Sequence, residues 1–201
     1  MSDFSGFNIS AEVRARLEKY QALLEKWQAR INLVASDTLP DVWDRHFVDS
    51  LQIIPYLPTG DFTLVDMGSG AGFPGLVLAI ACPNAQIHLI ESDAKKCEFL
   101  KTVSRETGCP VMIHHGRIET IPPFFVDVIT ARALAPLSAL LAYALPYTAI
   151  NPGLKMVFLK GAQWQDEVQS AQNAYIFDIE SHESLTSPQG RVLIVSALKR
   201  K

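Results

Sequence analysis

Residues 62–75 read FTLVDMGSGAGFPG, and the reading of this stretch decides the fold. Residues 62–67 are a short apolar run bounded by turn formers, the pattern of a buried strand. Gly68, Gly70, Gly72 and Gly75 follow; glycine takes positive φ and lets another group approach the backbone closely. Residues 75–82 return to an apolar helical run. A strand, a glycine turn and a helix in that order open a doubly wound α/β sheet, with a binding crevice beyond the strand's carboxyl end.

Outward from this unit the alternation continues. Strands are expected at residues 86–91, 111–115, 127–131 and 155–159, and helices at 93–106, 137–145 and 163–173. Residues 175–180 and 191–197 read as strands with only a turn-rich segment containing Ser187, Pro188 and Gly190 between them, so an antiparallel pair is expected there. The sheet is otherwise parallel. Before residue 59 the pattern is helical. Ser10 is placed to cap a helix over 10–31, whose Val13, Leu17, Tyr20, Leu23, Trp27 and Ile31 share one face. A second helix is expected over 40–54, opened by Pro40 and stopped by Pro55. Residues 1–58 are therefore read as a helical extension packed on a domain of residues 59–201.

At 201 residues the chain is long enough for a sizeable core, and 48% hydrophobic with 19% charged residues is a globular composition. A net charge of −3 means that any nucleic-acid partner must be met by a local basic patch. Cys82, Cys97 and Cys109 lack metal-ligand spacing and are expected as buried or half-buried thiols, with no metal site. The first ten residues lack the basic and apolar regions of a signal peptide, and no apolar run is long enough to span a membrane. A cytoplasmic monomer is expected.

The loop's chemistry narrows its ligand. It contains GxGxxG from Gly70 to Gly75, a pattern that dinucleotide-binding loops share. However, Gly70 does not immediately follow the strand, and the Asp66 carboxylate at the strand end would repel a pyrophosphate. No Lys or Arg lies between residues 62 and 82, and no GK[ST] closes the loop as in a P-loop. These features suit a ligand without phosphates that carries positive charge, such as S-adenosylmethionine (SAM). Gly68, Gly70 and Gly72 are expected to line its methionine end. Some twenty residues on, Glu91-Ser92 closes the next strand, where an acid accepts the hydroxyls of a ribose. Arg117-Ile118-Glu119 follows the third strand, in the loop that flanks the adenine. A tight turn with no ligand, and a nicotinamide dehydrogenase, are the rival readings.

Arg117, Arg132 and Lys160 follow three successive strands, so all three are expected at the edge that holds the cofactor. Arg191 opens the last strand, and Lys199-Arg200-Lys201 ends the chain. Such an edge neutralises phosphates even on an acidic protein. His46, His114 and His115 carry weaker signals, and Phe124, Phe125 and Trp164 are read as packing residues.

Several of these segments together resemble the small-subunit ribosomal RNA methyltransferase G family, also called glucose-inhibited division protein B. They are Asn32-Leu33-Val34, Arg45-His46-Phe-Val-Asp49-Ser50, the 66–75 loop, Arg117-Ile118-Glu119, Ala131-Arg132-Ala133 and Leu159-Lys160-Gly161, in the family's order. The Gly-Phe-Pro-Gly end of the loop and the Arg-His-x-x-Asp-Ser segment are the specific parts. The resemblance implies transfer of a methyl group from SAM to N7 of a guanine in 16S ribosomal RNA of the small subunit. It implies cofactor contacts from Gly68, Phe73, Ile118, Glu119 and Arg132, beside those read from the residues at Asp66, Gly70, Gly72, Glu91 and Ser92. RNA contacts fall to Arg117, Arg132, Lys160 and Arg191. No residue is expected to act as a general base; Arg132 and Lys160 position the acceptor. Ala131 stands where the family usually shows Ser. A SAM-dependent enzyme with another RNA, protein or small-molecule acceptor, and an RNA-binding module without activity, are the alternatives.

Overall fold

The computed structural model describes residue 7 and residues 9–201. The expectation about a signal peptide falls on the first ten residues, most of which lie outside that range.

Seven strands form one sheet in the order β3-β2-β1-β4-β5-β7-β6. They are β1 (Phe62–Met67), β2 (Ala85–Glu91), β3 (Met112–His115), β4 (Val128–Arg132), β5 (Lys155–Lys160), β6 (Tyr175–Glu183) and β7 (Arg191–Arg200). The first five run parallel, while β7 is antiparallel to both β5 and β6. Strand order reverses between β1 and β4, which opens a crevice at their carboxyl ends.

Strand alternation assigns each residue to a face. Phe62 and Leu64 of β1 pack into one core with α1 (Ala11–Gln28), α3 (Gly75–Ala81) and α4 (Ala94–Thr107). Val65 and Met67 pack into a second core with α5 (Leu137–Thr148) and α6 (Trp164–Gln172). By the same parity Asp66 points to the α3 side. In β4 and β5, Val128 and Leu159 join the first core and Ile129 and Phe158 the second. Arg132 and Lys160 therefore leave opposite faces of the sheet.

The N-terminal helix is capped as expected, Ser10 Oγ accepting from Val13 N at 3.2 Å. Leu17, Tyr20 and Leu24 are fully buried and belong to the first core. Tyr20 reaches furthest: its ring stacks on Phe73 at 5.3 Å, and its hydroxyl donates to the carbonyl of Ala71 in the glycine loop.

Residues 40–54 differ from the expected helix. Trp43–Val48 is π-helical and runs into the short α2 (Asp49–Leu51), with Pro40 in the turn before it. Wide π turns recur at functional sites, and this one carries Arg45 and His46, with Asp49 directly after it at the start of α2. The α5 helix also passes through Pro146 instead of ending before it, and the proline, two residues from the helix end, has no N–H to donate to the carbonyl one turn back. Lys199–Lys201 differ in place. Since β7 is antiparallel, its end pairs with the start of β6, with Tyr175 opposite Arg200, while Arg191 pairs with Lys160. The terminal cations thus stand at the edge away from the crevice. Cys97 and Cys109 are buried and Cys82 half-buried, all as free thiols. Among the described residues no helix is long and apolar enough to cross a membrane.

Tyr20→Phe keeps the ring and removes the hydroxyl, leaving the Ala71 carbonyl without this partner. Urea unfolding should show a loss of about 1–3 kcal/mol. A variant as stable as the parent would mean that water replaces the hydroxyl without cost.

Candidate functional site

The crevice at the carboxyl ends of β1, β2, β3 and β4 holds a cavity of about 420 Å³, within the usual range for small-molecule sites. Gly68, Ser69, Gly70, Ala71 and Phe73 form one wall, Glu91 and Ser92 a second, and Arg117, Ile118 and Glu119 a third. Arg132, Ala133 and Leu134 close the β4 side, and Leu33 and Val34 cover it. Gln28 of α1 holds this cover. Its amide donates to Val34 O at 2.8 Å and accepts from Leu33 N at 2.9 Å and Val34 N at 3.1 Å.

The loop's backbone explains its glycines. Gly68, Gly70 and Gly72 have φ of 66°, 56° and 94°, the left-handed region that side chains disfavour. At Gly70 an added Cβ would meet only Gly68 O, at 3.8 Å, so that position faces open cavity. Gly72 faces the other way, where a Cβ would meet Leu76 and the Tyr20 hydroxyl at 2.5–2.6 Å. Gly72 therefore shapes the loop and does not line the cavity.

Asp66 also stays out of the cavity. It is fully buried, accepts from Thr130 Oγ1 at 3.0 Å and receives Gly75 N at 3.3 Å. Burial raises its pKa to about 6 against the pull of those hydrogen bonds. The carboxylate that the sequence offered as a ligand group braces the loop from beneath. Glu91 does face the cavity. Its Oε2 accepts from Gly70 N at 2.8 Å and its Oε1 from Asp93 N at 2.7 Å, so one side chain fixes both the glycine loop and the start of α4. Each oxygen keeps a lone pair for a ligand hydroxyl.

The β4 side shows what sequence reasoning missed. Arg132 donates through Nη1 to Arg45 O at 2.9 Å and Asp49 Oδ2 at 3.1 Å, and its Nη2 lies 2.8 Å from His46 Nδ1. The guanidinium stands 5.0 Å over the Phe73 ring. His46 is buried, stacks on Phe73, and has its pKa lowered to about 3 by burial and then by Arg132 and Arg45. The ring is thus neutral: Nδ1 accepts from Arg132 and Nε2–H donates to Thr38 Oγ1 at 2.8 Å. Asp49 Oδ1 accepts from Thr186 at 2.7 Å and Gln52 at 2.7 Å, and Gln52 Oε1 accepts from Leu185 N at 2.8 Å. The connection between β6 and β7 is thereby docked onto α2, which continues the π-helical turn. After Arg132 the chain turns at Ala133 with φ 51°, a conformation non-glycine residues adopt at a cost. The Arg45-His46-x-x-Asp49 spacing was the only signal in the sequence for this network.

A second cavity of about 380 Å³ adjoins the first, sharing Arg132 and Ala133. It is lined by Arg45, His46, Asp49, Lys160, Thr186 and Arg191 among others. The expected basic edge is divided and largely neutralised. Lys160 is mostly buried on the opposite face, 2.6 Å from Glu167 Oε2 and donating to Ala135 O at 2.9 Å. Glu167 also accepts from Leu137 N at 2.7 Å, capping α5. Arg191 lies 5.7 Å over Trp164 and 3.8 Å from Glu183. Arg117 is exposed, with Glu119 at 3.9 Å. Among the described residues no group of three His, Cys, Asp or Glu is placed to hold a metal ion.

Comparison with known proteins gives the family and the fold. Residues 13–194 match the family described as rRNA small subunit methyltransferase G. A ribosomal RNA small subunit methyltransferase G of Paramagnetospirillum magneticum is 48% identical over 96% of this chain and 92% of its own length. That of Rhodospirillum rubrum is 46% identical over 96% and 94%. Among solved structures, a SAM-dependent methyltransferase from Aquifex aeolicus superposes with a TM-score of 0.58 at 14% identity, covering 78% of this chain and 93% of that one. TYW2 from M. jannaschii, in complex with AdoMet, gives 0.56 at 12% identity over 86% and 80%. At such identities the structures share the fold, that of the SAM-dependent Rossmann-like methyltransferases.

The neutral His46 makes a prediction about acid. Its pKa is about 3 in the folded chain and 6.5 in the unfolded one. Between those values the unfolded chain binds a proton that the folded chain refuses, so stability falls as pH drops below 6.5 toward 3. His46→Gln removes that titration. Urea unfolding from about pH 7 to about pH 4 should give a shallower loss for the variant, by up to one proton. Parallel curves would show that His46 is protonated in the folded protein.

Proposed function

The chain belongs to the rRNA small subunit methyltransferase G family, and from that membership we propose that it transfers a methyl group from SAM to N7 of a guanine in 16S ribosomal RNA. The observation that carries this reading is the pair of adjoining cavities that share Arg132 and Ala133. A methyl donor in one and a flat base in the other would meet at that boundary. The reading takes the protein to be a cytoplasmic monomer, with residues 1–58 as an extension on a methyltransferase domain of residues 59–201.

The donor set of the first cavity fits SAM. Glu91 presents carboxylate lone pairs suited to two ribose hydroxyls, with Ser92 beside it. Gly68 and Gly70 allow the methionine end to approach the backbone, and Ile118 and Glu119 form the wall suited to adenine. Asp66 serves this site from beneath, its charge helping to compensate a cationic ligand. When bound, SAM supplies an electrophilic methyl group on a sulfonium.

The chain's own residues then bind and orient. Guanine N7 carries an in-plane lone pair and no proton at neutral pH, so no side chain has to remove one. Arg132, clamped by Arg45 O, His46 and Asp49, offers a fixed planar donor between the cavities. Positioning of this kind supplies about 7–11 kcal/mol of barrier lowering. Arg117 is the RNA-facing cation of this reading, while Lys160, tied to Glu167, and Arg191, beside Glu183, line the second cavity. Glu119 acts in binding, not as a proton acceptor.

Mapping modified nucleotides in 16S ribosomal RNA from cells with and without the gene tests the assignment. One N7-methylguanine should disappear, and an unchanged map would sink it. Gly70→Val places a branched side chain in the cavity at positive φ; calorimetry should show SAM binding abolished, and equal binding would move the cofactor elsewhere. Single-turnover rates at saturating enzyme and SAM should be flat across neutral pH. A tenfold rise per pH unit, assigned to methyl transfer by a methyl isotope effect, would demand a base and another acceptor atom.

A further inference from the structure

The unpaired positive charge near the cofactor cavity lies away from the strand ends. Arg132, Lys160 and Arg191 each face a carboxylate. Around a separate groove of about 360 Å³, between the end of α1 and the start of α4, the balance differs. Lys26, Arg30 and Lys95 line it and are exposed. Lys96 follows on the rim of the cofactor cavity. Among the described residues none of these four side chains forms an ion pair. The acids nearby are committed. Glu98 pairs with Lys101 at 2.6 Å, and Asp93 caps α4 by accepting from Lys95 N and Lys96 N.

The groove floor is apolar. Trp27 and Ile31 are half-buried there, with the indole packed against Phe99 at 5.7 Å. Exposed cations flanking an aromatic floor suit single-stranded nucleic acid, whose phosphates meet the cations and whose bases lie on apolar faces. An acidic protein surface would satisfy the charges but would make less use of the floor. The groove and the cofactor cavity are lined by adjacent stretches of chain, Lys95 beside Lys96 on one side and Ile31 two residues before Leu33 and Val34 on the other.

We propose that this groove is a second RNA-docking surface, which grips the phosphate backbone of an unpaired segment next to the target loop. The proposal rests on the reading of the substrate as small-subunit ribosomal RNA. It gives the N-terminal helix a role in substrate capture beyond packing.

The test is the double variant Lys26→Ala/Arg30→Ala in the full-length protein. Neither side chain touches the cofactor cavity or the core, and Trp27 is kept because Phe99 packs on it. Calorimetry should show unchanged SAM affinity, and single-turnover methylation at saturating small subunits should run at the parent rate. Affinity for subunits should fall about tenfold, and the slope of log Kd against log salt should drop by roughly one to two contacts. Arg16→Ala removes a half-buried cation of the same helix that is paired with Glu12 at 2.6 Å, and should leave that slope unchanged. An unaltered slope in the double variant, or an equal fall in Arg16→Ala, overturns the docking surface alone. A loss seen with subunits but absent with protein-free 16S ribosomal RNA assigns the groove to a ribosomal protein and also overturns it. If the parent protein methylates no ribosomal RNA, the functional reading falls first and the docking surface with it.

Discussion

The buried carboxylate of Asp66 ties together the parts on which the site depends. It sits at the end of β1 with no exposure to solvent, and receives hydrogen bonds from Gly75 at the start of α3 and from Thr130 on β4. The Thr130 bond joins β1 to β4, where strand order reverses, and the Gly75 bond fixes the far end of the glycine loop. Burying a charge is costly, and its raised pKa records that cost. The surrounding donors limit the cost, and the loop above gains a fixed path. Glu91 completes the frame from β2 by accepting from Gly70 and Asp93. Two acids thus shape a cavity that only one of them faces.

The second organising device is the π-helical segment before β1. Arg45, His46 and Asp49 stand at i, i+1 and i+4, so the segment presents them on one side. From the π turn and the first residue of α2 a carbonyl, a neutral imidazole and a carboxylate converge on one guanidinium. The neutrality of His46 is part of the arrangement, because a protonated ring could not accept from Arg132. Asp49 then passes the restraint to Thr186, so the β6–β7 connection and the N-terminal segment close the same cavity. A guanidinium held from three sides loses little entropy on meeting a ligand.

Electrostatics separates the cations that build the site from those left to meet a polyanion. Lys160 and Arg191 look equivalent to Lys26 and Arg30 in a charge count. In the fold the first two sit against carboxylates, while the second two border an apolar groove without ion-pair partners among the described residues. The chain carries a net charge of −3, so such local imbalance is the means by which it meets RNA.

The sequence alone determined the order of elements, the parallel sheet with its antiparallel end, and the glycine loop as the place of binding. Hydrophobic periodicity and glycine's access to positive φ are local properties, readable without neighbours. It also located Glu91, Ile118, Glu119 and Arg132 at strand ends, because a strand end is a position along the chain. Three matters were decided only by the tertiary structure. The helix expected over residues 40–54 became π-helical around Arg132, a partner far along the chain. Asp66 and Gly72 turned inward, since the direction of each depends on what packs behind the loop. Arg132 and Lys160, neighbours on one edge by chain position, went to opposite faces and to separate acids. Their placement in register, Arg132 opposite Leu159, follows from the sheet and not from either strand. Charge type is written in the sequence, but whether a charge is spent inside the protein depends on which distant carboxylate the fold brings within reach.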